Sequence, residues 1–155
     1  METFLVGVDG SVASRRALEW AVAHAEIERA KIRVLMVVEG PTRDMWIPHS
    51  PLDDRLATAR RHLAGMVKTL REYHPQVAIE HEAREGRAAQ VLLEVARDCD
   101  LLVVGGRGRG GVTGALVGSV SLHCVAHSPC PVVVVRRQRK DSAIKARTKA
   151  KAKTG

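Results

Sequence analysis

Five short apolar runs alternate with four longer segments of helical period, and this alternation limits the fold more than any other feature of the chain. The runs are Thr3–Val8 (TFLVGV), Lys31–Gly40 (KIRVLMVVEG), Gln76–Ala83 (QVAIEHEA), Asp100–Gly105 (DLLVVG) and Pro129–Val135 (PCPVVVV). Most are β-branched and apolar at successive positions, the pattern of strands buried on both faces. Between them lie Ser11–Ala30, Leu52–His74, Glu85–Cys99 and Ala115–Ser128. The first helical segment carries Ala17, Leu18, Ala21, Val22 and Ala25 on one stripe, with Ser11 as its N-cap. The second carries Leu52, Leu56, Ala59, Leu63, Met66, Val67 and Leu70, and Pro75 stops it. The third repeats the spacing through Val91, Leu92, Val95 and Ala96. The order β-α-β-α-β-α-β-α-β predicts an α/β fold: one doubly wound, five-stranded parallel sheet with helices on both faces and right-handed crossovers.

A chain of 155 residues suits one domain. Its only aromatic residues are Phe4, Trp20, Trp46 and Tyr73, so the core must be built from Val, Leu, Ala and Ile. The net charge of +8 is localised. Residues 136–155 hold nine of the 25 Lys/Arg and one of the 17 Asp/Glu, which leaves sixteen of each in residues 1–135. The expected division is a neutral folded body over residues 1–136 and a basic tail over 137–155. The tail is too poor in large apolar residues to join a core, and it reads as disordered when free. Its charges suit a nucleic acid or another polyanion through non-specific, salt-dependent attraction, although no aromatic accompanies them for base stacking. No run approaches the roughly 18 apolar residues of a membrane span, and METFLVGVDGS lacks the basic and apolar regions of a signal peptide. The three cysteines, Cys99, Cys124 and Cys130, form no CxxC and read as reduced thiols. A cytoplasmic location is expected.

The stretch GGRGRGGVTGALVGS, Gly105–Ser119, follows the fourth strand and precedes the fourth helix. Glycines let backbone N–H groups approach an anion, and the following helix N-terminus adds its dipole. Arg107 and Arg109 add charge and Ser119 a hydroxyl. In an open parallel sheet, ligands bind beyond the carboxyl ends of the strands at the point where strand order reverses. The Asp9-Gly10-Ser11 turn after the first strand is the second candidate element for such a crevice.

Two phosphate-loop readings fail. Gly106, Gly108 and Gly111 spell GxGxxG, but after the fourth strand rather than the first, and no Asp or Glu occurs between Asp100 and Asp141 to hold a ribose. A Walker A loop needs a lysine, and none occurs between Lys68 and Lys140.

The spacing Gly105-x2-Gly108-x9-Gly118-Ser119 resembles the ATP-binding signature of the universal stress protein family, G-x2-G-x9-G-[S/T]. The phrases VGVDGS, CDLLVVGGRG and GSVSLHCVAHSPCPVVVV are also similar to that family's first turn, fourth strand and closing helix and strand. The resemblance covers residues 4–136. The chain departs from the family at Gly106, where serine is frequent, and at Val112-Thr113, where an aromatic-small pair is commoner. The resemblance implies strand order 3-2-1-4-5 and ATP at the switch point. It implies Asp9 on the ribose, backbone around Val38 at the adenine, and Gly105, Gly108, Gly118 and Ser119 around the phosphates, with Arg107 and Ser121 beside them. Magnesium is expected to arrive with the nucleotide. The resemblance further implies a homodimer paired through the closing strand, Val132–Val135, whose apolar edge needs a cover. The implied function is a nucleotide-responsive regulator in the stress response. The alternative is a nucleotide-free dimer that acts as an interaction module through its basic tail.

Other constellations carry less. His123, Cys124, His127 and Cys130 invite a zinc reading, but structural zinc draws on pairs from separate turns, and Cys124 would point away from the histidine face. A packed or capping role is expected, with no metal site. Asp53-Asp54 stands in a first helical turn, where carboxylates favour the dipole. Ser11, Ser119 and Ser121 have no His–Asp partner for nucleophilic catalysis. No catalytic residue is assigned, and slow ATP hydrolysis at best is expected. Trp46 belongs to a Pro-rich loop, Pro41–Pro51, where it suits a cover for the nucleotide, a subunit contact or a packing anchor.

Overall fold

The computed structural model describes residues 1–40, 51–107 and 117–136. Gly108, Arg109, Trp46 and the tail 137–155 lie outside the described residues. Nine elements follow in chain order: β1 (Thr3–Val8), α1 (Val12–Glu28), β2 (Lys31–Val38), α2 (Leu52–Tyr73), β3 (Ile79–Glu85), α3 (Ala88–Ala96), β4 (Leu101–Gly105), α4 (Ser119–His127) and β5 (Val132–Val135). All strand pairs are parallel, and the sheet order is β3-β2-β1-β4-β5. The chain winds outward from β1 in one direction, then crosses back to β4. The strand order therefore reverses between β1 and β4.

The two faces of the sheet are filled by alternate residues of each strand, as the pleat requires. Val6, Val8, Ile32, Val34 and Val103 face α1 and α2, where Leu18, Val22, Leu63 and Val67 complete one core. Leu5, Leu35, Leu102 and Val104 face the other way, against Leu92, Val95, Ala96 and Cys124 of α3 and α4. The predicted α1 stripe is buried in full, together with Ser14. Helix α1 ends at Arg29, whose left-handed φ of 56° directs its N–H back to Ala25.

The third strand is displaced from the sequence expectation, Gln76–Ala83, to Ile79–Glu85. Two causes act. The Val77 N–H turns back to the His74 carbonyl, which keeps the segment after Pro75 in a turn. At the other end the partner strand runs on to Val38, and Glu85 pairs with it. An ionic row stands on the β2–β3 surface: Arg33 and Arg84 both hold Glu82, at 2.7 and 2.9 Å. Burial opposes the Glu82 charge. The hydrogen bonds and charges of Arg84 and Arg33 outweigh it and hold the carboxyl below its ordinary 4.5.

Candidate functional site

A cleft opens at the carboxyl ends of β1, β2 and β4, on the α3–α4 side of the switch point. Its floor is apolar, formed by Leu35 and Val37 of β2, Leu92 of α3 and Val104 of β4. Its polar lining is Asp9, Ser11, Ser14, Arg107, Ser119 and Ser121. Gly7 also lines it, in mid-strand. A Cβ there would stand 3.0 Å from Leu92 Cδ2, so the missing side chain lets α3 close over β1.

The Asp9 turn is held by its own hydrogen bonds. Gly10 supplies a φ of 81°. The Ser11 N–H donates to Asp9 Oδ1 at 2.9 Å, and the Asp9 N–H donates to Ser14 Oγ at 3.3 Å. Ser11 Oγ accepts from the Ser14 N–H at 3.2 Å, capping α1. Ser14 Oγ donates in turn to the Ser11 carbonyl at 3.0 Å. One Asp9 oxygen is therefore fixed by the backbone, and the carboxylate is oriented at the cleft wall.

The glycine loop is tied at its base. The Gly106 N–H donates to Val135 at 2.9 Å, and the Gly118 N–H donates to the Gly106 carbonyl at 2.6 Å. Ser121 is buried, and its Oγ donates to the Gly105 carbonyl at 2.6 Å. Helix α4 starts at Ser119 after Gly118, and no side chain caps it. The N–H groups of a first helical turn have no partner within the helix. Ser119, Val120 and Ser121 thus present the positive end of α4 to the cleft.

These contacts sort the residues singled out from the sequence. Asp9, Arg107, Gly105, Gly118, Ser119 and Ser121 all line one cleft. Gly118 has already committed its N–H, and Ser121 its hydroxyl proton, to the loop base. Gly105 is a close-approach glycine: a Cβ there would lie 2.7–2.9 Å from the backbone of Ala13 and Ser14. Val38 is not among the lining residues. Its carbonyl accepts from the Gly86 N–H at 3.2 Å, and the adjacent residue of the same strand, Val37, lines the cleft. Ser14 and Leu92 were missed as site residues. The Ser11-x2-Ser14 spacing of a capped helix start and the lone Gly7 inside an apolar strand are the signals that point to them.

The two histidines of α4 and its cysteine part company. Cys124 is fully buried, and burial pushes its thiol up to about 11. His123 and His127 are exposed and stacked on each other, not packed into the core. Among the described residues, no group of three or more His, Cys, Asp or Glu converges as a metal site. No helix among the described residues is long and apolar enough to cross a membrane.

The cleft offers an apolar slot that ends in an oriented carboxylate, an arginine and a helix N-terminus. That arrangement suits an amphipathic anion with a flat apolar part. Comparisons with known proteins agree with the fold and extend it. A family model described as the universal stress protein family matches residues 1–136. A universal stress protein of Mycolicibacterium smegmatis is 36% identical over 139 residues, which cover 85% of this chain and 45% of that protein. The chain spans about half the length of the curated relatives it matches. A solved universal stress protein family protein from Arabidopsis thaliana, with AMP bound, superposes with a TM-score of 0.62 at 26% identity. It covers 90% of this chain and 94% of its own. A universal stress protein solved in complex with cAMP superposes with a TM-score of 0.63 at 27% identity, covering 86% of this chain and 96% of that one. By the family model and by its relatives, this chain belongs to the universal stress protein family.

Proposed function

We propose that the chain binds an adenine nucleotide, ATP with magnesium, in the switch-point cleft and acts as a nucleotide-responsive regulator of the stress response in the cytoplasm. One observation carries the reading: the Asp9 turn and the N-terminus of α4, distant in sequence, line one cleft together with the apolar side chains of Leu35, Val37 and Leu92. Asp9 would take the ribose, because a carboxylate accepts from two hydroxyls. The slot of Leu35, Val37 and Leu92 would take the base. The Ser119 hydroxyl, Arg107 and the first N–H groups of α4, which line the cleft, would meet the phosphates; the glycine spacing adds Gly108, which lies outside the described residues. Gly105, Gly118 and Ser121 would serve this site by shaping the loop base. The enclosed volume, about 170 Å³, is below the roughly 300 Å³ at which small-molecule pockets begin. It suits the base and part of the sugar, with the phosphates beyond it. The AMP and cAMP complexes of the two structural neighbours support the same ligand class. Magnesium would be bound through phosphate oxygens and water rather than a protein cage.

The test is direct. Purified protein is denatured and any released nucleotide identified, and the emptied protein is titrated with ATP, AMP and cAMP by calorimetry. Bound nucleotide, or saturable ATP binding that Asp9→Ala weakens, is expected. No nucleotide carried and no binding of any of the three at millimolar concentration would end the proposal.

The domain over residues 1–136 would pair as a homodimer. Strand β5 joins β4 alone among the described strands and presents four partly buried valines at the sheet edge. The tail 137–155 would act separately, on a polyanion such as nucleic acid. Deleting it should leave nucleotide binding intact.

A further inference from the structure

Helix α4 carries a second arrangement, at the end opposite the cleft. His123 and His127 are the only two of the seven histidines spaced four apart. On a helix that spacing brings side chains together on one face. Their rings lie 4.5 Å apart between centroids and within 19° of parallel, so the two imidazoles are adjacent, and a shared ion requires these exposed side chains to turn about χ1 and χ2 until their lone pairs converge. Both residues are exposed, while Cys124 between them points into the core. The His127 ring is also oriented: its Nδ1–H donates to the His123 carbonyl at 3.2 Å. That bond fixes the tautomer and leaves Nε2 carrying the lone pair, as in histidines that ligate metals. His127 stands in the last turn of α4, where the helix dipole favours a cation.

We propose that His123 and His127 form a two-imidazole clip for a divalent transition ion of the copper or nickel type on the exposed face of the C-terminal half of α4. Imidazole suits Cu2+, Ni2+ and Zn2+, and affinity at a given site rises toward Cu2+. No third His, Cys, Asp or Glu converges on the pair among the described residues. Water therefore completes the coordination, and the site is an open, exchangeable one rather than a structural zinc centre. The clip lies outside the nucleotide cleft, so it stands or falls independently of that proposal.

The experiment uses the full chain with Ni2+ and Cu2+ as probes. Ni2+ is titrated by calorimetry at pH 7.5 into wild type, His123→Ala, His127→Ala and, as a control, His24→Ala. His24 stacks on Trp20 and its Nδ1–H donates to the Trp20 carbonyl, so it is oriented in the same way, but no histidine stands three or four residues from it on α1. One ion per chain is expected for wild type and His24→Ala. Loss of one of two chelating ligands should weaken binding by about tenfold or more in each of the other variants. Thermal melts supply a second readout. Ni2+ bridges successive turns only while α4 is helical, so it should raise the melting temperature of wild type and not of His123→Ala or His127→Ala. Pulsed electron paramagnetic resonance of the Cu2+ complex should show two coordinated imidazoles. Unchanged Ni2+ affinity in both variants, or coupling to a single imidazole, would overturn the clip. Circular dichroism of the variants checks that α4 and the fold persist.

Discussion

Replacing Gly105 with alanine tests whether this glycine serves packing as well as ligand approach. A Cβ at position 105 would sit 2.7 Å from the Ala13 carbonyl carbon, 2.8 Å from its oxygen and 2.9 Å from the Ser14 nitrogen. All three atoms are backbone, in the first turn of α1. Ordinary contact begins near 3.4 Å, so relief requires that turn to retreat by roughly 0.7 Å, well inside the steep part of the repulsion. The φ at Gly105 is not positive, so the cost is steric alone. Overpacking of this kind costs about 1–3 kcal/mol, and rigid backbone places it near the upper end. The smaller unfolded-state entropy of alanine returns about 0.4–1 kcal/mol. A net loss of about 2 kcal/mol follows, or a fall in Tm of roughly 4–8 °C for a chain of this length. Gly65 is the internal control. It lies in the middle of α2, and a Cβ there meets nothing within 4 Å. Gly65→Ala should stabilise by about 1 kcal/mol through helix propensity. Urea denaturation followed by far-UV circular dichroism measures both variants. The steric reasoning is refuted if Gly105→Ala falls within about 0.5 kcal/mol of wild type while Gly65→Ala behaves as stated.

Three other expectations rest on separate observations. Asp9→Asn keeps an acceptor for the Ser11 N–H but removes the charge. Calorimetry should show adenine nucleotide affinity falling by roughly 5–30-fold, the 1–2 kcal/mol between a charged and a neutral acceptor, with little change in Tm. Glu82→Gln should cost about 1 kcal/mol above pH 5, discounted for partial exposure. The folded Glu82 pKa is depressed, so its contribution is present above the unfolded value near 4.5 and is lost as pH falls through the lowered folded value. Urea midpoints of wild type and variant should therefore converge in acid, and a gap that widens there would contradict the ion pair. Brief iodoacetamide treatment of native protein at pH 8, read by mass spectrometry, should label Cys130 before Cys99 and Cys124. The latter two are buried, and burial raises both thiols, that of Cys124 to about 11. Equal labelling of all three would refute this assignment of burial.

Much of the architecture is written locally. Each helix stripe and each apolar run depends on spacing within a few residues, which is why α1 and α2 emerge almost residue for residue. The third strand differs at both ends: a local turn after Pro75 delays its start, and its last residue is set by pairing with β2, a partner chosen in three dimensions. The family motif located both turns of the cleft without showing what each residue does there. Glycine spacing cannot distinguish a glycine that bares its N–H to a ligand from one pressed against a helix. Gly105 touches α1, ninety residues away in sequence. Beside the Val38 backbone, the side chain that reaches the cleft is that of Val37, because the pleat alternates sides. A strand that is apolar on both faces conceals its parity from any one-dimensional pattern.

The sequence by itself determined the alternating parallel architecture, the neutral body with its basic tail, and the two turns that contribute to the cleft. It could do so because periodicity, net charge and turn chemistry are properties of neighbouring residues. Only the tertiary structure decided that Gly118 and Ser121 commit their donors to the loop base and that Ser14 and Leu92 join the cleft. Those outcomes depend on which surfaces the sheet brings together, and contacts between distant segments leave no periodic trace in the chain.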